Sequence, residues 1–269
     1  MKDYGWEEIV LKKTIPQKIA VSESGDVFFG DRQFIYKYDD NDSVTLFAAL
    51  GGNTGGLAFH NDGLLFVADL THHKILSVDK MGVQQDIIKN VNAAFITTSN
   101  KGVYFTETEK KQLGFYSFDT KKVNYIGVPG NPTGLAISGD QTSINLGFEN
   151  LLSGYSFKIR EDGTPDYGQE YIHYHIPYGV TSPGVTGLVT DTANLLYSAT
   201  ALGIQMSDQL GRVNFIISKP ANIITDIKIG GKDFNILYAN CNGILFRRKL
   251  NTKGTLSWLP AVKPSKPRL

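Results

Sequence analysis

Apolar positions along the chain fall in short runs, each four to six residues long and each bounded by turn residues. Gly56-Leu57-Ala58-Phe59, then Asp62-Gly63, then Leu64-Leu65-Phe66-Val67-Ala68-Asp69 has the pattern of strand, turn, strand. The phrase returns as Gly134-Leu135-Ala136-Ile137 with Ile144-Asn145-Leu146-Gly147, and as Gly187-Leu188-Val189 with Leu195-Leu196-Tyr197-Ser198. Weaker copies are Ile19-Ala20-Val21 with Val27-Phe28-Phe29-Gly30-Asp31, Ala94-Phe95-Ile96 with Val103-Tyr104-Phe105-Thr106-Glu107, and Ile227-Lys228-Ile229 with Ile236-Leu237-Tyr238-Ala239. With Ile19, Leu57, Ala94, Leu135, Leu188 and Ile227 as equivalents, the spacings are 38, 37, 41, 53 and 39. A period near 40 with several strands per unit is the signature of propeller blades.

Each unit continues with an alternating third run, such as Phe34-Ile35-Tyr36-Lys37-Tyr38, and a fourth, such as Val44-Thr45-Leu46-Phe47. The pattern therefore predicts an all-β fold: one six-bladed β-propeller over residues 6–254, four antiparallel strands per blade. Blades are expected near 16–50, 54–91, 92–128, 131–175, 185–218 and 223–254. The last unit ends at Ile244–Leu250 without a fourth strand, and Glu7–Leu11 is available to supply it and close the ring. Residues 255–269, with Pro260, Pro264 and Pro267 among Lys and Arg, are expected to form an extended or disordered tail.

In a propeller, residues just before the innermost strands crowd around one channel mouth, a natural ligand site. Two residues before each repeat anchor stand Gln17, Gly55, Asn92, Thr133, Thr186 and Thr225. Five of these six are polar, so they either converge on a ligand or cap strand ends and satisfy backbone there.

These residues bring a family into view. The segment at 56–69, Tyr104-Phe105-Thr106-Glu107, Leu202-Gly203-Ile204-Gln205 and the ending Leu245-Phe246-Arg247 with Lys249–Gly254 resemble the gluconolactonase, regucalcin and luciferin-regenerating-enzyme family of six-bladed propellers. That resemblance implies hydrolysis of sugar lactones around a divalent cation such as calcium or zinc, held by Glu, Asn, Asn and Asp, with the Asp as general base. Carried over, those positions fall on Gln17, Asn92, Thr133 and Thr186. Both carboxylates are replaced by neutral groups, and hard-cation affinity follows ligand charge. No metal cofactor is therefore expected, and the catalytic residue is unknown, Thr186 standing at the base position.

Other groups compete for a role. His173-x-His175 places two rings on one side of a strand, within the longest interval and ahead of Thr186. Asp226, Glu107 and Glu149 could build a rearranged acidic site. His72-His73 reads as a loop pair, and Gly51–Gly56 lacks the ending of a phosphate loop and leads into a strand. Ligand contacts are accordingly expected from Gln17, Asn92, Thr133, Thr186, Thr225, Asp226, His173 and His175.

Composition narrows the partners. A net charge of +1 argues against a nucleic-acid partner, and no apolar run is long enough to span a bilayer. The single cysteine, Cys241, excludes an internal disulfide or a multi-cysteine zinc site. Met1–Trp6 has no apolar leader core, so a cytoplasmic location is the default, with export the alternative if the chain belongs to a longer multidomain protein. Two functions remain: a diverged hydrolase of sugar lactones or related esters, and a non-catalytic propeller binding a carbohydrate or a protein partner at the channel mouth.

Overall fold

A computed structural model describes residues 5–11, 14–39 and 41–263, without the side chain of Asp62. Six sheets of four antiparallel strands form the six blades. The inner strands are Ile19–Val21, Thr54–Phe59, Phe95–Ser99, Pro132–Ile137, Gly187–Thr190 and Asp226–Gly230, here blades 1 to 6. Each inner strand lies beside the next, and that of blade 6 lies beside that of blade 1. Among the described residues no helix is long and apolar enough to cross a membrane.

The hairpins form where the sequence provides turn chemistry. Asp79 begins the third turn of blade 2, its Oδ1 accepting from Met81 N (2.8 Å) and Val83 N (2.9 Å), while Gly82 supplies a φ of +81°. Asp39 and Asp208 repeat the arrangement in blades 1 and 5.

The apolar alternation is buried between blades rather than in one central core. Phe28, Leu57, Phe59, Leu65 and Leu76 fill the seam of blades 1 and 2. Separate clusters fill the other five seams. In the seam of blades 6 and 1, Ile9, Ile19, Phe29, Tyr38, Tyr238 and Leu245 pack together.

That last seam is the ring closure. Glu7–Ile9 forms the outer strand of blade 6, pairing Glu7 with Arg247 and Ile9 with Leu245. The Arg247 guanidinium binds both oxygens of Glu7 at 2.9 Å and reaches Asp42 of blade 1 at 2.8 Å. Asn240 Nδ2 donates to Pro16 O (2.7 Å) and Gln17 O (2.9 Å), and Gly231 N to Gly25 O (2.9 Å).

The opposite mouth is covered by the segment that follows blade 6. Thr255 donates to Thr190 O, Ser257 Oγ to Thr98 O, and Val262 N to Gly139 O. Trp258 packs on the cluster containing Ala20, Phe28 and Phe59. The segment expected as an extended or disordered tail turns at Leu256–Leu259 and is hydrogen-bonded across the channel through Val262, while its Pro264 and Pro267 lie outside the described residues. A channel space of about 80 Å³ remains behind it.

Deleting residues 1–11 leaves Ile244–Lys249 as an open edge and removes the buried Ile9. The expected outcome is a loss of roughly 3 kcal/mol or more in urea unfolding, on the scale of a deleted buried aliphatic side chain. Self-association on size exclusion should accompany it.

Candidate functional site

The mouth at which the inner strands begin has a repeating frame. Gln17 N donates to Gly30 O (2.8 Å), Ala94 N to Thr106 O (2.9 Å), Thr186 N to Ala199 O (3.0 Å) and Thr225 N to Asn240 O (2.7 Å). In blades 2 and 4 the register shifts at Thr54/Leu57 and Pro132/Gly134, so a bulge stands at this level. The residue of blade 3 equivalent to Gln17 is thus Ala94, and its anchor is Ile96, paired with Phe105 as Ile19 is with Phe29. Asn92 lies two residues further out, exposed. On this register the anchor spacings become 38, 39, 39, 53 and 39.

The hydroxyls of Thr133, Thr186 and Thr225 are engaged with backbone, two of them across the seam to the next blade, whereas Thr54 Oγ1, beside the cavity, is buried without a partner. Thr133 Oγ1 donates to Val185 O, Thr186 Oγ1 to Ile224 O (2.7 Å) and Thr225 Oγ1 to Asn240 O (3.2 Å). Thr108 Oγ1 makes a further link to Pro132 O at 2.8 Å. Gly55 is buried, and a Cβ there would stand 2.9 Å from Ala93 O.

One residue further along, the six positions are Lys18, Gly56, Phe95, Gly134, Gly187 and Asp226. The glycines follow from close approach: a Cβ on Gly56 would lie 2.7 Å from Ile96 N, and one on Gly187 3.1 Å from Ile227 N. Three side chains remain. Asp226 is buried, its Oδ2 accepting from Ile19 N (2.9 Å) and its Oδ1 from Ile227 N (2.9 Å), with Lys228 Nζ at 3.5 Å. Lys18 Nζ donates to Thr225 O of blade 6 at 3.1 Å and sits 3.7 Å from the ring centroid of Phe95 in blade 3. Blades 3 and 6 face each other across a six-membered ring, so the ammonium lies close to the channel axis. Burial lowers the Lys18 pKa to about 8; Asp226 opposes that fall and Lys228 adds to it.

Beside Lys18 a cavity of about 500 Å³ opens at the mouth between blades 1 and 3, bordered by Gln17, Lys18, Gly55, Asn92, Glu107 and Lys110 among others. Glu107 is 1% exposed. Its Oε1 accepts from Asn92 N (3.0 Å) and Lys110 Nζ (2.8 Å), and its Oε2 is buried without a hydrogen-bond partner.

The remaining sequence candidates lie elsewhere. Thr133, Thr186 and Thr225 are at the mouth but not on the wall of this cavity, and Asp226 points into the closure seam. His173 ends the outer strand of blade 4, 72% exposed, with Nδ1 3.7 Å from Glu170 Oε1. His175 is exposed and its backbone is clasped by Gln205. Neither histidine borders the cavity. Glu149 follows the second strand of blade 4, exposed, with its carbonyl taken by Ser182. His72 and His73 lie in a surface turn, His72 bonded to Asp69 at 2.8 Å. Among the described residues no three His, Cys, Asp or Glu side chains gather as a metal-binding group. Sequence reasoning missed Lys18 and Phe95. Their signal was a charged and an aromatic residue at a position that is glycine in three other blades.

No protein-family description and no curated protein sequence matches the chain. Solved structures do. A gluconolactonase from Xanthomonas campestris superposes with a TM-score of 0.78 at 14% identity, over 92% of this chain and 90% of that one. A luciferin-regenerating enzyme gives 0.77 at 15% identity, over 97% and 99%. Regucalcin from Agrobacterium tumefaciens, described as a calcium-binding protein, gives 0.74 at 13% identity, over 97% and 98%. The chain has the six-bladed fold of these proteins, in agreement with the resemblance seen in its sequence motifs.

If the threonines serve as inter-blade caps, Thr186→Val should cost about 1 kcal/mol in urea unfolding by leaving Ile224 O without its donor. Thr186→Ser should restore most of it. Asn92→Ala, at an exposed side chain, should stay within about 0.5 kcal/mol of the parent.

Proposed function

We propose that the chain is a ligand-binding propeller of gluconolactonase-like fold, whose mouth cavity takes a small polar molecule such as a sugar or lactone. In this reading it does so without the divalent-metal hydrolysis that the resemblance implies. The carrying observation is the donor set at the positions the resemblance gives to metal ligands: Gln17, Thr133 and Thr186 offer only amide and hydroxyl oxygens, and in blade 3 the strand register puts Ala94 at the ring, with Asn92 two residues further out. Two of those hydroxyls are committed to carbonyls of the next blade. Calcium and zinc sites of this kind draw their affinity from carboxylates, so these residues do not fit the ion. A lysine ammonium at the axis adds repulsion to the missing attraction. Thr186 cannot accept a proton from water at neutral pH as a carboxylate does.

A second reading, a lactone or ester hydrolase with a relocated acid, is favoured by one observation. Glu107 borders the cavity and keeps a buried carboxylate oxygen without a partner. Its other oxygen is fixed by Asn92 N and Lys110, which would orient the side chain as a base for water.

Lactone hydrolysis measured with added calcium or zinc, and with a chelator, separates the readings. The expected result is no cation-dependent turnover above the uncatalysed rate, alongside saturable lactone or sugar binding. Cation-dependent turnover lost in Asn92→Ala or Thr186→Ala would overturn the proposal. Cation-independent turnover lost in Glu107→Gln would establish the second reading.

A further inference from the structure

The charges around the mouth are unequally matched. Asp226 is satisfied by two backbone N–H groups and lies 3.5 Å from Lys228, while Glu107 pairs with Lys110 at 2.8 Å. Lys18 makes no ion pair among the described residues; its ammonium has one carbonyl, Thr225 O, and the face of Phe95. An ammonium carries three donors, so at least one is left over after that carbonyl. The aromatic face attracts the cation but accepts no strong hydrogen bond. Lys18 also borders the 500 Å³ cavity, so the unspent donor has open space beside it.

The position is built rather than incidental. Gly56, in the blade between Lys18 and Phe95, has no side chain and would meet Ile96 N at 2.7 Å if it had one, so at this level of the strands blade 2 puts no side chain between them. The backbone of Lys18 is fixed by the pairing of Ile19 with Phe29 and by the Asp226 bond to Ile19 N. A cation thus stands near the axis, at the mouth where the inner strands begin.

We propose that the Lys18 ammonium is the fixed cation of this mouth, taking the electrostatic part of a divalent ion, and that the cavity beside it binds a small organic carboxylate. This rests on reading the mouth as a ligand site, and it adds the charge of the ligand. Asp226 acts on Lys18 only from beyond hydrogen-bond distance, so a bound carboxylate supplies the direct contact that Lys18 lacks, and in a partly desolvated site a charge-assisted bond is about twice as strong as a neutral one. A neutral polyol of equal size leaves that charge unmatched.

The groups facing Lys18 set its pH response. Asp226 and Lys228 of blade 6 act on it directly, and Glu107, Glu109 and Lys110 border the cavity from blade 3. Glu107 and Lys110 pair with each other, and Glu109 is exposed on the turn. Lys18 titrates at about 8, so the ammonium form predominates at pH 7 and is lost as the pH rises past that value. Carboxylate affinity should fall with it.

The test is amide chemical-shift titration of the full chain, with chelator present, using lactate and pyruvate as carboxylate probes and propane-1,2-diol as the neutral counterpart. The carboxylates should shift amides around Gly55 and Thr225, and propane-1,2-diol should bind at least roughly ten-fold more weakly. Raising the pH from 7 to 9.5 should weaken carboxylate binding about ten-fold or more in the parent protein, a readout that needs no variant. Lys18→Met should remove the binding, while Lys228→Met, a channel lysine already beside Asp226, should leave it within about two-fold. Absence of carboxylate binding, equal affinity for the diol, pH independence, or equal loss in the two variants would overturn the proposal. A failure of this kind is separate from cation-dependent lactone turnover, which would instead overturn the metal-free reading.

Discussion

Six inner strands meeting on one axis leave little room, and that crowding governs the rest of the mouth. Where the strands begin, a Cβ on Gly56, Gly134 or Gly187 would stand between 2.7 and 3.1 Å from atoms of the neighbouring blade. Only three of the six positions at that level carry side chains, and they are Lys18, Phe95 and Asp226. The cation is held because the glycines give it passage, one carbonyl receives it and one ring lies beneath it. Steric necessity in three blades thus creates the electrostatics of the other three.

The same crowding explains where the polar side chains of the ring went. Strand ends that approach closely must satisfy their carbonyls, and unpaired buried carbonyls cost free energy. Thr133 and Thr186 do this for the blade that follows, and Asn240 does it across the closure. A hydroxyl committed in this way is a poor metal ligand. Threonines at these two positions fit a mouth held together by its own hydrogen bonds. Closure by Glu7–Ile9 and the cover of Thr255–Trp258 at the far mouth keep the six strands at these distances.

Much of this was legible in the chain. The recurrence of Gly-Leu-Ala-Phe and its relatives fixed six units, because period-two burial and turn chemistry are local properties. The closing strand was legible from an absence, since Ile244–Leu250 had no successor to pair with. The slip in blade 3 was not, because Ala94 and Ile96 are both apolar and only strand pairing distinguishes them. Trp258 was also hidden: aperiodic Pro-rich sequence gives no sign that one aromatic ring will find a channel mouth. Lys18 escaped notice because a single lysine before a strand looks like an exposed end. Its role depends on Phe95 and Thr225, which are distant in sequence.

The account stands on the claim that the positive charge at the axis belongs to the protein itself. An anomalous-difference map from crystals soaked in zinc, or in terbium as a calcium substitute, addresses it directly. The account predicts no peak among Gln17, Asn92, Thr133 and Thr186, with Lys18 Nζ in density between Thr225 O and the Phe95 ring. A well-occupied metal peak bonded to those oxygens, with the lysine displaced, would contradict it.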